Sequence, residues 1–281
     1  MSRALDVIVL PAFDDLDGLP SEASPWHRVY DLDEQLSIPG LCSPLRYSPD
    51  GVGVVPTGVG KTAAATTTTA LLSSRRLDLA HTTFLTVGVA GGPPSVSIGS
   101  VVISEQIVDW DDKIRLDPEP GEDPLAPNPY TVDQGHYELG EELIRRIREL
   151  SDPAKLERPA EADEERTADP EIMVGTNLSG DELWHGTTLA EEASWLVEQS
   201  DASPYLVTEM EDAGTAAALD RFDRLESYCS VRGVSNHDRP RGDQTARESF
   251  FGDQFESGFA VAVENAVSVA KPFVDASIAD T

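Results

Sequence analysis

Lysine is the residue type that this sequence most conspicuously lacks. The 281 residues include 51 acidic and 21 basic side chains, which gives a formal net charge of −30 at pH 7. Only four of the basic residues are lysines, at positions 61, 113, 155 and 271. Because so much negative charge repels the phosphates of nucleic acids and of anionic membranes, we expect no nucleic-acid partner.

Cysteine is scarce as well. Cys42 and Cys229 form no metal-binding or redox spacing, so they indicate a reducing compartment or carry no information. His185 and His237 have no serine or cysteine at a recognisable triad spacing and no metal-ligand partner. We therefore expect no metal and no cofactor, and we assign neither histidine to catalysis.

Long apolar runs are also missing. No run approaches the roughly 18 to 20 residues that a membrane-spanning helix needs. The N-terminal stretch MSRALDVIVLPAF has an apolar run too short for the core of a signal peptide, and it lacks a small-residue cleavage site. We expect a cytoplasmic protein with no membrane span, in which this stretch is a buried first strand.

What the chain does contain is an alternation of short apolar strands and helices, which predicts an α/β fold. One helix is predicted over residues 137–150 and another over 187–199. No shift in composition marks a boundary, so we expect a single domain over residues 1–281. Within it, the stretches at about 111–133 and 151–170 are charged and rich in proline or acidic residues, and they predict irregular surface excursions.

The sequence GVGKT at residues 58–62 is similar to the end of a triphosphate-binding loop, G-x-x-x-x-G-K-[ST]. The first glycine of that motif would be residue 55, which is Val55. The loop is therefore too short for a nucleoside triphosphate. A strand, a glycine turn and a helix start remain, and they suit either an anion site or a tight packing turn.

Three stretches in order resemble the nucleoside phosphorylase/nucleosidase superfamily: TGVGKTAAA at 57–65, VGVAGG at 87–92 and IGSVVI at 98–103. Within it, the chain resembles the purine nucleoside permease family, through stretches spread from end to end at residues 22–26, 38–41, 183–187, 210–212, 238–240 and 258–265. The resemblance implies a phosphorylase-like fold with a central mixed β-sheet, partly barrel-like, flanked by helices. It also implies a purine nucleoside ligand and a homo-oligomer.

The resemblance implies that Met210 and Glu211 bind the ribose. A carboxylate accepts hydrogen bonds from two adjacent hydroxyls, and a methionine offers an apolar face to the sugar. An acidic helix start, favoured by the helix dipole, explains Glu211 and Asp212 without a ligand. The resemblance favours ribose binding.

The base side of the site is expected at Asn236, Leu183 and Trp184, beside a pocket loop formed by Gly88, Val89, Ala90 and Gly91. Superfamily members place an aspartate where this chain has Asn236, to protonate N7 of the leaving purine. An asparagine cannot donate a carboxylic proton but can hydrogen-bond a base. Asp238 either takes over as the acid or forms an ion pair with Arg239, and Trp184 is equally suited to an ordinary core position.

The phosphate side departs most from the superfamily. Thr86 and Val89 stand where phosphorylases have an arginine and a serine, so most of the charge-assisted bonds to phosphate are missing. Hydrolysis needs a carboxylate to activate water, and Glu22 is the best candidate, with Asp14 and Asp15 behind it. We expect a purine nucleoside-binding protein linked to uptake, with weak or altered cleavage of the glycosidic bond. The alternatives are an active nucleosidase or phosphorylase and a non-catalytic assembly protein.

Dispersed acidity with little lysine is typical of proteins kept in solution at high salt, as in a halophile. We therefore predict that the free energy of unfolding rises with salt, because ions screen the repulsion among the surface carboxylates. Urea unfolding at low and at molar potassium chloride measures this. Equal stability under the two conditions contradicts the halophilic interpretation.

Overall fold

The computed structural model describes residues 2–14, 16, 18–119, 121–130, 135–159, 168–240, 242–251 and 254–279. Helices and strands alternate through these ranges. The helices are α1 (Ser24–Val29), α2 (Lys61–Leu72), α3 (Glu141–Leu150), α4 (Thr187–Gln199), α5 (Asp212–Arg221), α6 (Ala246–Phe250) and α7 (Gln254–Ala279). The strands are β1 (Arg3–Ala4), β2 (Val7–Leu10), β3 (Glu34–Leu36), β4 (Leu45–Tyr47), β5 (Val52–Val54), β6 (Leu77–Asp78), β7 (Thr83–Gly92), β8 (Val101–Asp109), β9 (Lys113–Arg115), β10 (Leu125–Pro127), β11 (His136–Glu138), β12 (Ile172–Ser179), β13 (Tyr205–Glu209) and β14 (Tyr228–His237).

The central sheet is mixed and curls into a partial barrel. Strand β8 pairs with β12, β12 with β13, β13 with β7, β7 with β14, and β14 with β8 again. The link between β13 and β7 is short, with Thr208 opposite Gly91. Strands β2, β5, β4 and β3 continue the sheet beyond β7. This architecture confirms the predicted mixed sheet with helices around it.

Two glycines let helices approach the sheet and each other closely. A Cβ atom at Gly214 of α5 would collide with the backbone carbonyl of Lys61, at the start of α2. A Cβ at Gly233 of β14 would collide with the backbone of Ala262 in α7. Since a side chain at either position would force the elements apart, these contacts fix the start of α5 and the middle of β14, where the candidate site lies.

Strands β7 and β14 are almost entirely buried, although half of the residues of β14 are polar or charged. Helix α7 packs across both strands. In the described ranges, no helix combines the length and the apolar character that crossing a bilayer requires.

The predicted helix over 137–150 is wrong at its start. Helix α3 begins at Glu141, and Tyr137 belongs to β11, which pairs antiparallel with β8. Gly140, at the N-cap of the helix, separates the two elements. The predicted excursion at 111–133 contains the hairpin of β9 and β10, although residues 120 and 131–133 lie outside the described ranges. The excursion at 151–170 holds one short 3₁₀ turn, Pro153–Lys155, and its residues 160–167 also lie outside them.

Candidate functional site

The candidate site is built around one buried arginine on β14. Arg232 is 2% exposed, and its guanidinium contacts three acidic side chains from the end of β13 and the start of α5. Its Nη2 lies 2.8 Å from Oε2 of Glu209. Its Nη1 lies 3.4 Å from Oε2 of Glu211. The third partner, Asp212, accepts hydrogen bonds from Nε at 3.1 Å and from Nη2.

Asp212 is the partner that carries the negative charge most firmly. Burial alone would raise the pKa of this carboxyl, but the charge of Arg232 and several hydrogen bonds hold it below its usual value. Its Oδ2 accepts from Nδ2 of Asn177 at 2.7 Å and from Oγ of Ser230 at 2.5 Å. The pair of Asp212 and Arg232 is therefore a fully bonded buried ion pair.

Glu209 and Glu211 are bound more weakly by Arg232, because Asp212 already neutralises most of its charge. Burial raises the pKa of Glu209 to about 8, and the neighbouring Asp212 adds to the effect. Burial raises the pKa of Glu211 to about 7 against the opposing charge of Arg232. One guanidinium cannot keep three buried carboxylates ionised, so the group holds protons near neutral pH.

The GVGKT loop supplies backbone donors to these carboxylates. Gly60 has a φ of 96°, which a glycine adopts without strain, and its N–H donates to Oε1 of Glu211 at 3.1 Å. The N–H of Lys61 donates to Oδ1 of Asp181 at 2.7 Å. The Lys61 ammonium lies 2.6 Å from both Asp109 and Asp111. The anions bound at this helix start are thus carboxylates of the chain itself.

Glu22 is a buried carboxylate beside Gly88 and Val89 of β7. It is 1% exposed, and its carboxylate accepts from the N–H of Ala12 at 2.7 Å and of Val89 at 2.8 Å. A Cβ at Gly88 would lie 2.5 Å from Oε1 of Glu22, so only glycine allows this approach. Burial raises the pKa of Glu22, and the charge of Arg232 opposes it.

Glu22 and Glu211 belong to one electrostatic group. The charge of Glu22 contributes to the raised pKa of Glu211, and Arg232 acts on both. The predicted pocket loop on β7 contacts Glu22 and Arg232. The N–H of Val89 donates to Glu22, and the carbonyl of Val89 accepts from Arg232 at 3.4 Å. The structure therefore brings together Glu22, Glu211 and the loop, which lie far apart along the chain.

Asn236 ends the same strand that carries Arg232, opposite Gly91 of the loop. Its Oδ1 accepts from Oγ of Ser235 at 2.7 Å, and its Nδ2 donates to the carbonyl of His237 at 3.0 Å. On β7, the hydroxyl of Thr86 is buried and lies 2.9 Å from the hydroxyl of Tyr228. Thr86 is one of the two residues that the sequence predicts on the phosphate side.

Asp238 forms the ion pair that the sequence left open as an alternative to catalysis. Its Oδ1 lies 2.6 Å from Nε of Arg239, and its Oδ2 accepts from the hydroxyl of Tyr205 at 2.6 Å. Trp184 is 8% exposed and stacks on Trp110 with ring centroids 5.5 Å apart, so it contributes to a local core. Catalysis by Asp238 and base binding by Trp184 stay predictions.

Two further predicted residues are less buried than this group. Leu183 is 68% exposed, and Met210, next to Glu211, is half-buried. The residues that sequence reasoning missed are Arg232 and Glu209. Their signal was a single arginine inside the apolar strand YCSVRGV, since a buried charge requires a buried partner.

The architecture is a mixed α/β fold of the phosphorylase-like type, which solved nucleosidases share. The fold is similar to that of futalosine hydrolase from Helicobacter pylori, with 20% identity, a TM-score of 0.66, and coverage of 97% of this chain and 98% of that one. A 5′-methylthioadenosine/S-adenosylhomocysteine nucleosidase from the same organism has 19% identity and a TM-score of 0.66, with coverage of 98% and 100%. The corresponding nucleosidase from Colwellia psychrerythraea, in complex with adenine, has 17% identity and a TM-score of 0.64, with coverage of 98% and 96%.

The chain belongs to the purine nucleoside permease family, whose model matches residues 4–280. The purine nucleoside permease of Candida albicans is 26% identical over 293 residues, covering 90% of this chain and 71% of the relative. A probable purine nucleoside permease of Schizosaccharomyces pombe is 27% identical over 256 residues, covering 78% and 73%. The predicted family resemblance is confirmed.

The shared carboxylates make stability depend on pH. The folded pKa values of Glu209, about 8, and Glu211, about 7, exceed their ordinary value of 4.5, so the folded chain retains protons that the unfolded chain releases. This contribution is complete below the ordinary pKa and is lost as the pH rises through the folded values. We predict that the free energy of unfolding, measured by urea at constant high salt, falls between about pH 5 and about pH 9.

The variant Glu209→Gln tests the cause of this pH dependence. A glutamine does not titrate, but it keeps an acceptor for the backbone N–H groups of Glu211 and Asp212. We expect this variant to flatten the pH dependence. Glu198→Gln, on the exposed surface of α4, is the matched variant and should leave it unchanged. A slope that Glu209→Gln does not reduce contradicts the shared-proton interpretation.

Proposed function

We propose that this chain binds a purine nucleoside, with the ribose at Glu211 and the base at the end of β14. The observation that carries the proposal is the buried Glu211 carboxylate, fixed by Gly60 and Arg232 beside the half-buried Met210. The names of the relatives and the adenine complex of a similar nucleosidase support it.

Glu211 has the capacity to hold a ribose. An ionised carboxylate has about four acceptor positions. The N–H of Gly60 uses one at 3.1 Å, and Arg232 approaches a second at 3.4 Å. When Glu211 is ionised, the remaining positions suit two adjacent hydroxyls of a ribose, and hydrogen bonds to a charged acceptor are stronger than neutral ones.

The relatives are named for nucleoside permeation, and we propose that this chain contributes the binding step of uptake. Such a role needs recognition of the intact nucleoside, through both its ribose and its base. Homo-oligomeric assembly, a single domain over residues 1–281 and a cytoplasmic location stay predictions.

Calorimetric titration at high salt with adenosine, inosine and guanosine tests the binding. We expect Glu211→Gln to weaken the preferred nucleoside by about 10- to 100-fold, because bonds to a charged acceptor contribute about 1.5–3 kcal/mol. Glu198→Gln, an exposed glutamate on α4, should leave the affinity unchanged. Absence of heat from all three nucleosides with the folded protein refutes the proposal.

Hydrolysis of the glycosidic bond is the second candidate, and Glu22 favours it. A carboxylate that is buried, has a raised pKa and is held by two backbone N–H groups suits a general base that activates water. Phosphate is the less suitable acceptor, because the buried hydroxyl of Thr86 bonds to Tyr228 and Val89 has no polar side chain.

Release of free purine, measured with and without phosphate, tests this candidate. We expect hydrolysis to be independent of phosphate and to fall by about 100-fold or more in Glu22→Gln, as for the loss of a general base. Asn236→Asp should raise the rate by restoring an acid for the leaving base. If no purine is released under any condition, the hydrolytic candidate is wrong and the binding function is unaffected.

A further inference from the structure

Lys61 is the residue of the GVGKT loop that the proposed function does not use. Its Nζ lies 2.6 Å from Oδ1 of Asp109, at the end of β8, and 2.6 Å from Oδ2 of Asp111, two residues later. The Lys61 side chain is 17% exposed. Burial alone would lower the pKa of this ammonium, but Asp109 and Asp111 raise it above its usual value, so Lys61 is a cation at neutral pH.

Three residues, Lys61, Asp111 and Asp181, form a closed hydrogen-bonded ring, named here the Lys61 ring. Oδ2 of Asp111, which contacts the ammonium, also accepts from the N–H of Asp181 at 3.0 Å. Oδ1 of Asp181 accepts in turn from the N–H of Lys61 at 2.7 Å. The segments that follow β8 and β12 therefore hold Lys61 by both its side chain and its backbone, through bonds that each have a charged partner.

The Lys61 ring lies against Gly60, whose N–H donates to Oε1 of Glu211 at 3.1 Å. A Cβ at Gly60 would lie 2.9 Å from Oδ1 of Asp181, so the ring packs directly on this glycine. Glycine has more conformational freedom than any other residue. A contact from outside the loop is therefore needed to keep the Gly60 N–H directed at Glu211, and the bond from Asp181 to the next N–H along the chain supplies it.

The carbonyl of Lys61 is fixed on its other side by α5. A Cβ at Gly214 would lie 2.1 Å from this carbonyl oxygen, which shows how closely the two helices approach. Glu211 is the N-cap residue of α5, three residues before Gly214. Because Lys61 lies between the ring and the helix that carries Glu211, a displacement of Lys61 would move Gly60 relative to the Glu211 carboxylate.

We propose that Lys61 and Asp181 are positioning residues for the ribose acceptor. The Lys61 ring holds the Gly60 N–H on Oε1 of Glu211, so that the other acceptor positions of this carboxylate are directed at the ribose hydroxyls. The inference rests on the proposed nucleoside binding and adds two residues that do not contact the ligand. A ring that only stabilised the fold would affect all ligands alike, whereas a positioning ring affects the recognition of the two hydroxyls.

Titration with adenosine and with 2′,3′-dideoxyadenosine, which lacks both hydroxyls, tests the proposal. The wild-type protein should bind the dideoxy compound about 100-fold more weakly, as for the loss of two hydrogen bonds to a charged acceptor. Asp181→Ala removes the acceptor of the Lys61 N–H at an exposed position and should reduce this ratio about tenfold, as for the loss of one such bond. Asp181→Asn keeps an acceptor and should retain the ratio.

Lysine variants test the other half of the ring. Lys61→Met has a similar length without the charge, and it should reduce the ratio as Asp181→Ala does. Lys61→Arg keeps the charge and should restore part of it. Lys155→Met, at an exposed lysine, is the matched control and should leave the ratio unchanged.

Amide hydrogen exchange at Gly60, measured without ligand, is the second test. The N–H of Gly60 should exchange about tenfold faster in Asp181→Ala than in the wild type, because its bond to Glu211 opens more often. Lys155→Met should not change this rate. Since Asp181 is exposed, this variant also covers the case in which Lys61→Met does not fold.

The outcomes separate this inference from the function on which it rests. If folded Asp181→Ala keeps the wild-type ratio, the ring does not position Glu211, and nucleoside binding is unaffected. Equal weakening of both compounds gives the ring a role in the fold alone and also overturns the proposal. If the wild type binds neither compound, the proposed function is wrong, and an unchanged exchange rate at Gly60 would then overturn the positioning inference as well.

Discussion

The site depends on one constraint: a single buried guanidinium must neutralise the acidic side chains that surround it. Charged groups are tolerated in a protein interior only when they are paired and hydrogen-bonded. Arg232 meets this requirement by binding Asp212 with two nitrogens and reaching Glu209 and Glu211 with the same fork. The end of β13, the start of α5 and the middle of β14 are thereby held in one arrangement.

The orientation of the two candidate functional carboxylates follows from that constraint. Glu211 is held between Arg232 and the N–H of Gly60, and Glu22 is held by the N–H groups of Ala12 and Val89. Both carboxyls have raised pKa values because they are buried around a charge that Asp212 has largely neutralised. The proposed nucleoside recognition rests on Glu211, and the proposed cleavage of the glycosidic bond rests on Glu22.

Local sequence signals predicted the local parts of this structure. The glycine turn of GVGKT followed by a helix is confirmed as α2, and the predicted helix over 187–199 matches α4. The predicted start of α3 was wrong because Tyr137 belongs to a strand. That strand forms by pairing with β8, more than 25 residues away in sequence. The acceptors that surround Arg232, and the ion pair of Asp238 with Arg239 and Tyr205, also depend on tertiary contacts that residue spacing does not encode.

The central claim is that the carboxylate held by Arg232 is the ribose side of a purine nucleoside site. A crystal structure of the chain grown with adenosine at high salt tests it most directly. We predict ribose hydroxyls within hydrogen-bond distance of Glu211, and the base beside Asn236 at the end of β14. A nucleoside bound elsewhere on the chain, with Glu211 bonded only to Gly60 and Arg232, would contradict the claim.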